Sequence, residues 1–341
     1  MIVRAPHLST VLQAAARLCC GGFIALSASV AMAETAPAPP LAAEEAPVPA
    51  FGPIGIEAGI NDAVRDFMQS PRFAGVPEAE VRDRVEFVAG NVIFATLHEV
   101  GHMLISQMAL PVLGREEDAA DAFATLIFLR VGNVFSDRLL NQAARGWFLS
   151  ERRDLKRRAA LDFSDEHALD RQRAYNIVCL MVGSNSEKFG ELADMARMPE
   201  ARQHTCQFDY SNASWSWDKA LAPHRRKADQ PKTEVSVSYA ESPAHEIYVT
   251  GFRDIRLLET LAAILSERFV FPRPIGLEMS SCGVVNARWN VLARKIHVCY
   301  ELAADFAEVY RDHAGGAART SSFQVQTLDI GVLASFRAAP E

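Results

Sequence analysis

From Asn91 to Ile105 the chain is apolar almost all round (NVIFATLHEVGHMLI), yet His98, Glu99 and His102 stand in the middle of it. A helix that is apolar on every face belongs in a core, so the fold must be built around this segment. Pro111 cannot continue a helix, so the spacing predicts a helix from about Asn91 to Ala109. Burying two imidazoles and a carboxylate there is costly unless something binds them. The plain alternative is a core helix whose histidines are merely hydrogen-bonded.

In His98-Glu99-Val100-Gly101-His102 the histidines are four residues apart, so both project from one helix face about one turn apart. That suits two corners of a tetrahedral zinc site, with Glu99 placed to take a proton from a zinc-activated water. A third ligand is expected from the next acidic element, Gly114 to Ala124 (GREEDAADAFA), after a short loop around Pro111 and Gly114. Acidic residues there also suit the first turn of a helix through its dipole. Glu117 and Asp121, spaced i, i+4, share a face, so one can ligate while the other accepts the second N–H of a ligand histidine. The spacing favours Glu117 as ligand and Asp121 as the orienting partner, with Glu116, Asp118 and Asp121 as alternative ligands.

HEVGH followed by GREEDAAD resembles a family of bacterial proteins assigned as zinc metallopeptidases and otherwise of unknown function, within the broad gluzincin pattern. The similarity covers about Val85 to Cys206, plus a Cys-Gly-x-x-Asn-Ala stretch at Cys282. HExxH is shared by many zincins; the GREEDAAD string is much more specific. The resemblance implies zinc on His98, His102 and Glu117 with Glu99 as catalytic base, and it supplies no substrate.

Hydrophobic residues make up 49% of the 341-residue chain, ample for a sizeable core. A net charge of −7 argues against a nucleic-acid partner, and the basic runs Arg152–Arg158 and His224–Lys227 read as solvated faces. At the N-terminus, Arg4 and Arg17 precede an apolar stretch, Gly21 to Met32, that ends in Ala31-Met32-Ala33. This predicts a cleavable signal peptide over residues 1–33, with an uncleaved anchor as the alternative and a lipidated Cys19 or Cys20 disfavoured. Residues 34–56 read as an Ala/Pro-rich linker, residues 57–312 as one zincin-like metallopeptidase domain, and residues 313–341 as a tail. The mature chain is thus expected in the periplasm or secreted, without stable membrane association. Four cysteines would then remain, and neighbourhood favours Cys179–Cys206 and Cys282–Cys299 among the three possible pairings.

Helical patterning covers most of the first two-thirds, including Ala58–Met68, Phe123–Leu129, Asp137–Phe148 and Asp165–Val182. Beyond the Trp215-Ser216-Trp217 segment, strands are expected at Val235–Tyr239, Ile247–Val249, Ile275–Met279 and Ile296–Cys299. A turn is expected at Asn286–Asn290, and helices at Arg253–Phe269 and Tyr300–Tyr310. The fold class is α+β, a mostly helical zincin-like core with a small β-sheet.

A zinc peptidase needs a donor for the tetrahedral intermediate. His167 is the first candidate, with Arg171, Arg173 and Tyr175 on the same predicted helix, and Tyr300 and Glu301 as further options; each could equally cap or salt-bridge. The remaining histidines lack ligand spacing. The reading is an exported zinc-dependent peptidase acting on a peptide or protein that adds to a sheet edge such as Val235–Tyr239. The rivals are a zinc amidase on cell-wall or other non-protein amides, and an inactive metal-stabilised binding protein.

Overall fold

In the computed structural model, which describes residues 53–157, 159 and 161–314, the apolar segment is the middle of a 31-residue helix. The order is α1 (Pro53–Gln69), α2 (Glu78–Met108), α3 (Glu116–Val131), α4 (Val134–Lys156), α5 (Asp170–Ser184), α6 (Ser186–Met195) and α7 (Glu200–Leu221). Then come β1 (Val235–Tyr239), α8 (Glu246–Asp254), α9 (Leu257–Arg268), β2 (Ile275–Ser280), β3 (Ala287–Asn290), β4 (Lys295–Cys299) and α10 (Tyr300–Ala314). All described residues belong to one compact unit. The expected signal peptide, nearly all of the linker and the C-terminal tail beyond Ala314 lie outside the described residues, and α1 takes in the last four residues of the expected linker.

Helix α2 is the axis of the fold. It is long and apolar enough to cross a membrane, but 83% of its most apolar window is buried inside the fold, as a core helix requires. It starts well before Asn91 because Pro77 opens it and Glu78 and Glu80 complement the dipole of its first turn. It ends where Ala109 takes a left-handed φ of 51°, just ahead of Pro111. Helices α1, α3, α4 and α10 pack around it, and β3 and β4 lie across its side. Polar clamps tie it down: buried Glu86 takes the Arg138 guanidinium of α4 at 2.9–3.3 Å, and Asp83 accepts from Arg145 and Tyr310. Close approach of α4 depends on Gly146, where a Cβ would fall 1.8 Å from Asn91 Oδ1. The Asn91 amide in turn donates to the carbonyls of Phe87 and Gln142.

The sheet is mixed, in the order β1-β2-β4-β3, with β1, β2 and β4 parallel and β3 antiparallel to β4. Both cysteine pairs are bonded as neighbourhood favoured. Cys179–Cys206 joins α5 to α7, and Cys282–Cys299 joins the loop after β2 to the end of β4.

Several local expectations are corrected. Ile247–Val249 is helical, part of α8, because Val249 and Phe252 are buried at i, i+3 spacing and the β-like run is too short to resist. The expected turn at Asn286–Asn290 is largely strand β3; the reversal falls at 291–294, where Arg294 adopts φ 51°. The expected helix Arg253–Phe269 is broken by left-handed Arg256. Helix α5 begins at Asp170, not Asp165, because the Asp165 side chain accepts the His167 backbone N–H and holds a local turn.

Candidate metal centre

Helices α2 and α3 meet at the middle residue pair that the motif leaves small. A Cβ on Gly101 would lie 3.0 Å from Ala120 Cα, so glycine here allows the two helices to approach closely. This approach brings Glu117, in the first turn of α3, across from His98 and His102. His98 Nε2 and His102 Nε2 are 3.0 Å apart, and Glu117 Oε2 lies 3.0 Å from the first and 3.3 Å from the second. Ligand atoms around a tetrahedral zinc at about 2.0–2.1 Å are separated by about 3.3 Å. The three atoms therefore could hold such an ion with little adjustment.

The other ring nitrogens orient the pair. Asp121 Oδ1 is 2.7 Å from His98 Nδ1, and Glu116 Oε1 is 2.8 Å from His102 Nδ1. An ionised carboxylate only accepts, so each Nδ1 donates, and a ring that yields its other proton to a metal would present its Nε2 lone pair to the centre. Two lone pairs and a carboxylate oxygen facing one point is an arrangement that calls for a cation. The electrostatics agree. Burial alone would lower the proton affinity of His102, but its hydrogen bonds to the Glu117 and Glu116 carboxylates outweigh it and push the metal-free pKa up to about 9. His98 is likewise raised against its burial by Asp121 and Glu117. Burial favours a neutral Glu117, yet His102, His167 and His98 hold its carboxyl far below the ordinary range.

Glu99 is buried on α2 beside His98, and its Oε2 accepts the backbone N–H of Trp289 at 2.6 Å. Burial raises its pKa, an effect tempered by the two histidines and by that N–H. The contact identifies the sheet edge at the site. Trp289 lies on β3, and the Glu99 bond occupies an N–H on the edge away from β4. Strand β1, the edge named from the sequence, is at the opposite side of the sheet.

His167 is at the centre but not on α5. From the bend ahead of that helix its Nε2 reaches Glu117 Oε2 at 2.9 Å, while Nδ1 faces Asp165 at 3.1 Å. It is not among the three convergent donors. The other candidates are engaged away from the ion position. Arg171 bonds Glu151, the Tyr175 hydroxyl donates to the Ala196 carbonyl, and the Tyr300 hydroxyl to that of Ala240. Glu301 accepts the backbone N–H groups of Cys282 and Gly283, and Arg173 holds Asp121. The orienting role of Glu116 and the Trp289 contact escaped the sequence reading. Periodicity within α3 could have flagged Glu116 against His102, but nothing local links position 99 to position 289.

A family model, DUF4344, described as "Putative metallopeptidase", matches residues 62–221 and 238–333, most of the chain. No curated protein and no solved structure matches it.

Proposed function

We propose that this chain, which belongs to the DUF4344 metallopeptidase family, cleaves peptide bonds with one zinc ion held by His98, His102 and Glu117. The observation that carries this reading is the convergence of two Nε2 atoms and one Glu117 oxygen, with both Nδ1 atoms committed to carboxylates. Two imidazoles and one carboxylate, leaving a fourth position open, is the make-up of catalytic rather than structural zinc sites. Bound there, zinc would act as a Lewis acid on the scissile carbonyl and lower the pKa of a water.

The chain's own groups do the rest. Glu99, anchored at Oε2 by the Trp289 N–H, accepts the proton of the attacking water at its carboxylate and passes it to the leaving amine. A carboxyl whose proton affinity is raised by burial is suited to that task. His167, its side chain 38% exposed beside Glu117, turns its Nε2–H from Glu117 to the developing oxyanion. The substrate main chain lies along the outer edge of β3, which runs past the base.

Two disulfides suit an oxidising compartment. Together with the charged-then-apolar leader they support export, with cleavage after Ala33 and a mature enzyme in the periplasm or outside the cell.

Digestion of a peptide library by wild type and Glu99→Gln, with metal content measured in parallel, tests the reading. Wild type should cut peptides, and the variant should keep its zinc while losing about a thousandfold or more in rate. Equal turnover would remove Glu99 as the base. Cleavage of non-protein amides alone would favour the amidase, and zinc binding without any hydrolysis the binding protein.

A further inference from the structure

Behind the candidate ligands, one residue from each of four helices forms a line. His98 on α2 donates to Asp121 on α3; Asp121 is gripped by Arg173 on α5, and Arg173 lies over Trp147 on α4. Arg173 Nε is 2.7 Å from Asp121 Oδ2, and Nη2 is 2.7 Å from Oδ1, the same oxygen that faces His98 Nδ1. The guanidinium carbon sits 3.7 Å from the Trp147 ring centroid. Relative exposures are 4% for His98, 6% for Asp121 and 8% for Arg173, so these three are buried, while Trp147 at the end of the line is half-buried.

We propose that Arg173 is a positioning residue for the metal centre: its fork fixes the Asp121 carboxylate, which fixes the His98 ring with Nε2 aimed at the ion. The proposal rests on the zinc-peptidase reading above. A carboxylate bound through both oxygens cannot swing about its Cβ–Cγ bond, so the oxygen that meets His98 keeps its place and the imidazole plane follows. Arginine suits this role because its planar fork matches both oxygens and its charge is permanent; lysine offers a point charge without the fork. Stability alone does not call for an ion pair at this place, since apolar packing of the same volume often serves as well. The position of Arg173 one hydrogen bond behind a ligand histidine does. The partner of His102 is held differently, for Glu116 is 47% exposed. His98 is therefore the rigid ligand and His102 the adaptable one.

The test compares Arg173→Gln, Arg173→Lys and a control, Arg138→Gln, which breaks another ion pair to a buried acid (Glu86, 2% exposed) on the same α2 helix. The readouts are the zinc dissociation constant by chelator competition, the visible spectrum of the cobalt-loaded protein, and the melting temperature without metal. Arg173→Gln should weaken zinc about 10- to 100-fold and alter the cobalt spectrum. Arg173→Lys should recover part of the affinity but not the wild-type spectrum. Arg138→Gln should lower the melting temperature while leaving affinity and spectrum as in wild type. Wild-type zinc binding and spectrum in either Arg173 variant would overturn the proposal, and so would an equal zinc loss in Arg138→Gln. Failure of wild type itself to bind zinc would instead bring down the function reading, and this inference with it.

Discussion

Asp121 and Glu116 perform the same service for two histidines from unlike surroundings, so their loss should cost unequal amounts. Asp121→Asn, in the closed interior, should weaken zinc about 10- to 100-fold, as losing a buried orienting partner does. Glu116→Gln, with 47% of its side chain in water, should cost only a few-fold, because solvent screens that contact. Chelator competition on the two variants checks the order, and the reverse order would misplace the rigid ligand. Asp170 gives a second handle on residue-level electrostatics. Burial, with Asp154 and Glu151 nearby and Arg173 opposing, lifts its pKa from 3.8 to about 6. The folded state then binds the proton more tightly than the unfolded one, so wild-type stability falls as pH rises from about 4 to about 6. Asp170→Asn should match wild type below that window and exceed it above by about 1–2 kcal/mol after screening. Thermal melts at pH 3.5, 5 and 7.5 would read this, and an equal gain at all three values would contradict it. The candidate ligands were legible in the sequence because their chemistry repeats at helical spacing within one or two adjacent elements. Arg173 and Trp289 were not assigned these contacts, because theirs are set by how distant helices and strands pack, and no local pattern encodes that.

Helices α2 and α4 lie close at two residues without side chains, Gly90 of α2 and Gly146 of α4. Gly146→Ala would drive a methyl group into the buried Asn91 side-chain amide, which can yield only by giving up its hydrogen bonds to two carbonyls. The variant should lose about 2–4 kcal/mol by overpacking and by breaking the Asn91 bonds to Phe87 and Gln142. Chemical denaturation of the metal-free protein checks this, and a cost under 0.5 kcal/mol would show that the interface adapts. Long elements with sustained apolar patterning, such as α2, α4 and α9, were visible in the sequence, although their ends were not. Short ones were ambiguous. Ile247–Val249 carries β-branched and aromatic residues, yet the burial of Val249 and Phe252 one turn apart decides for a helix. Ala287–Asn290 resembled a turn because strand β3 has only four residues, and its pairing with β4 supplies what its composition does not.

At the scale of the whole molecule, a helical body and a small mixed sheet share one helix, α2, which carries two candidate ligands and the candidate base. The sheet meets α2 through β3, so a bound main chain and the ion would be set by the same rigid element. The α+β class was legible from the change in periodicity after residue 232, but the strand order was not, because parallel pairing of β1 with β2 and of β2 with β4 depends on crossovers. The two disulfides tie α5 to α7 and the loop after β2 to β4, bracing both parts, and they fit an oxidising compartment. The most direct test of this account is the zinc content of purified mature protein, measured by elemental analysis for wild type, His98→Ala, His102→Ala and Glu117→Ala. The prediction is about one zinc per folded wild-type chain and near-complete loss in each variant. Stoichiometric zinc retained in all three variants would contradict it.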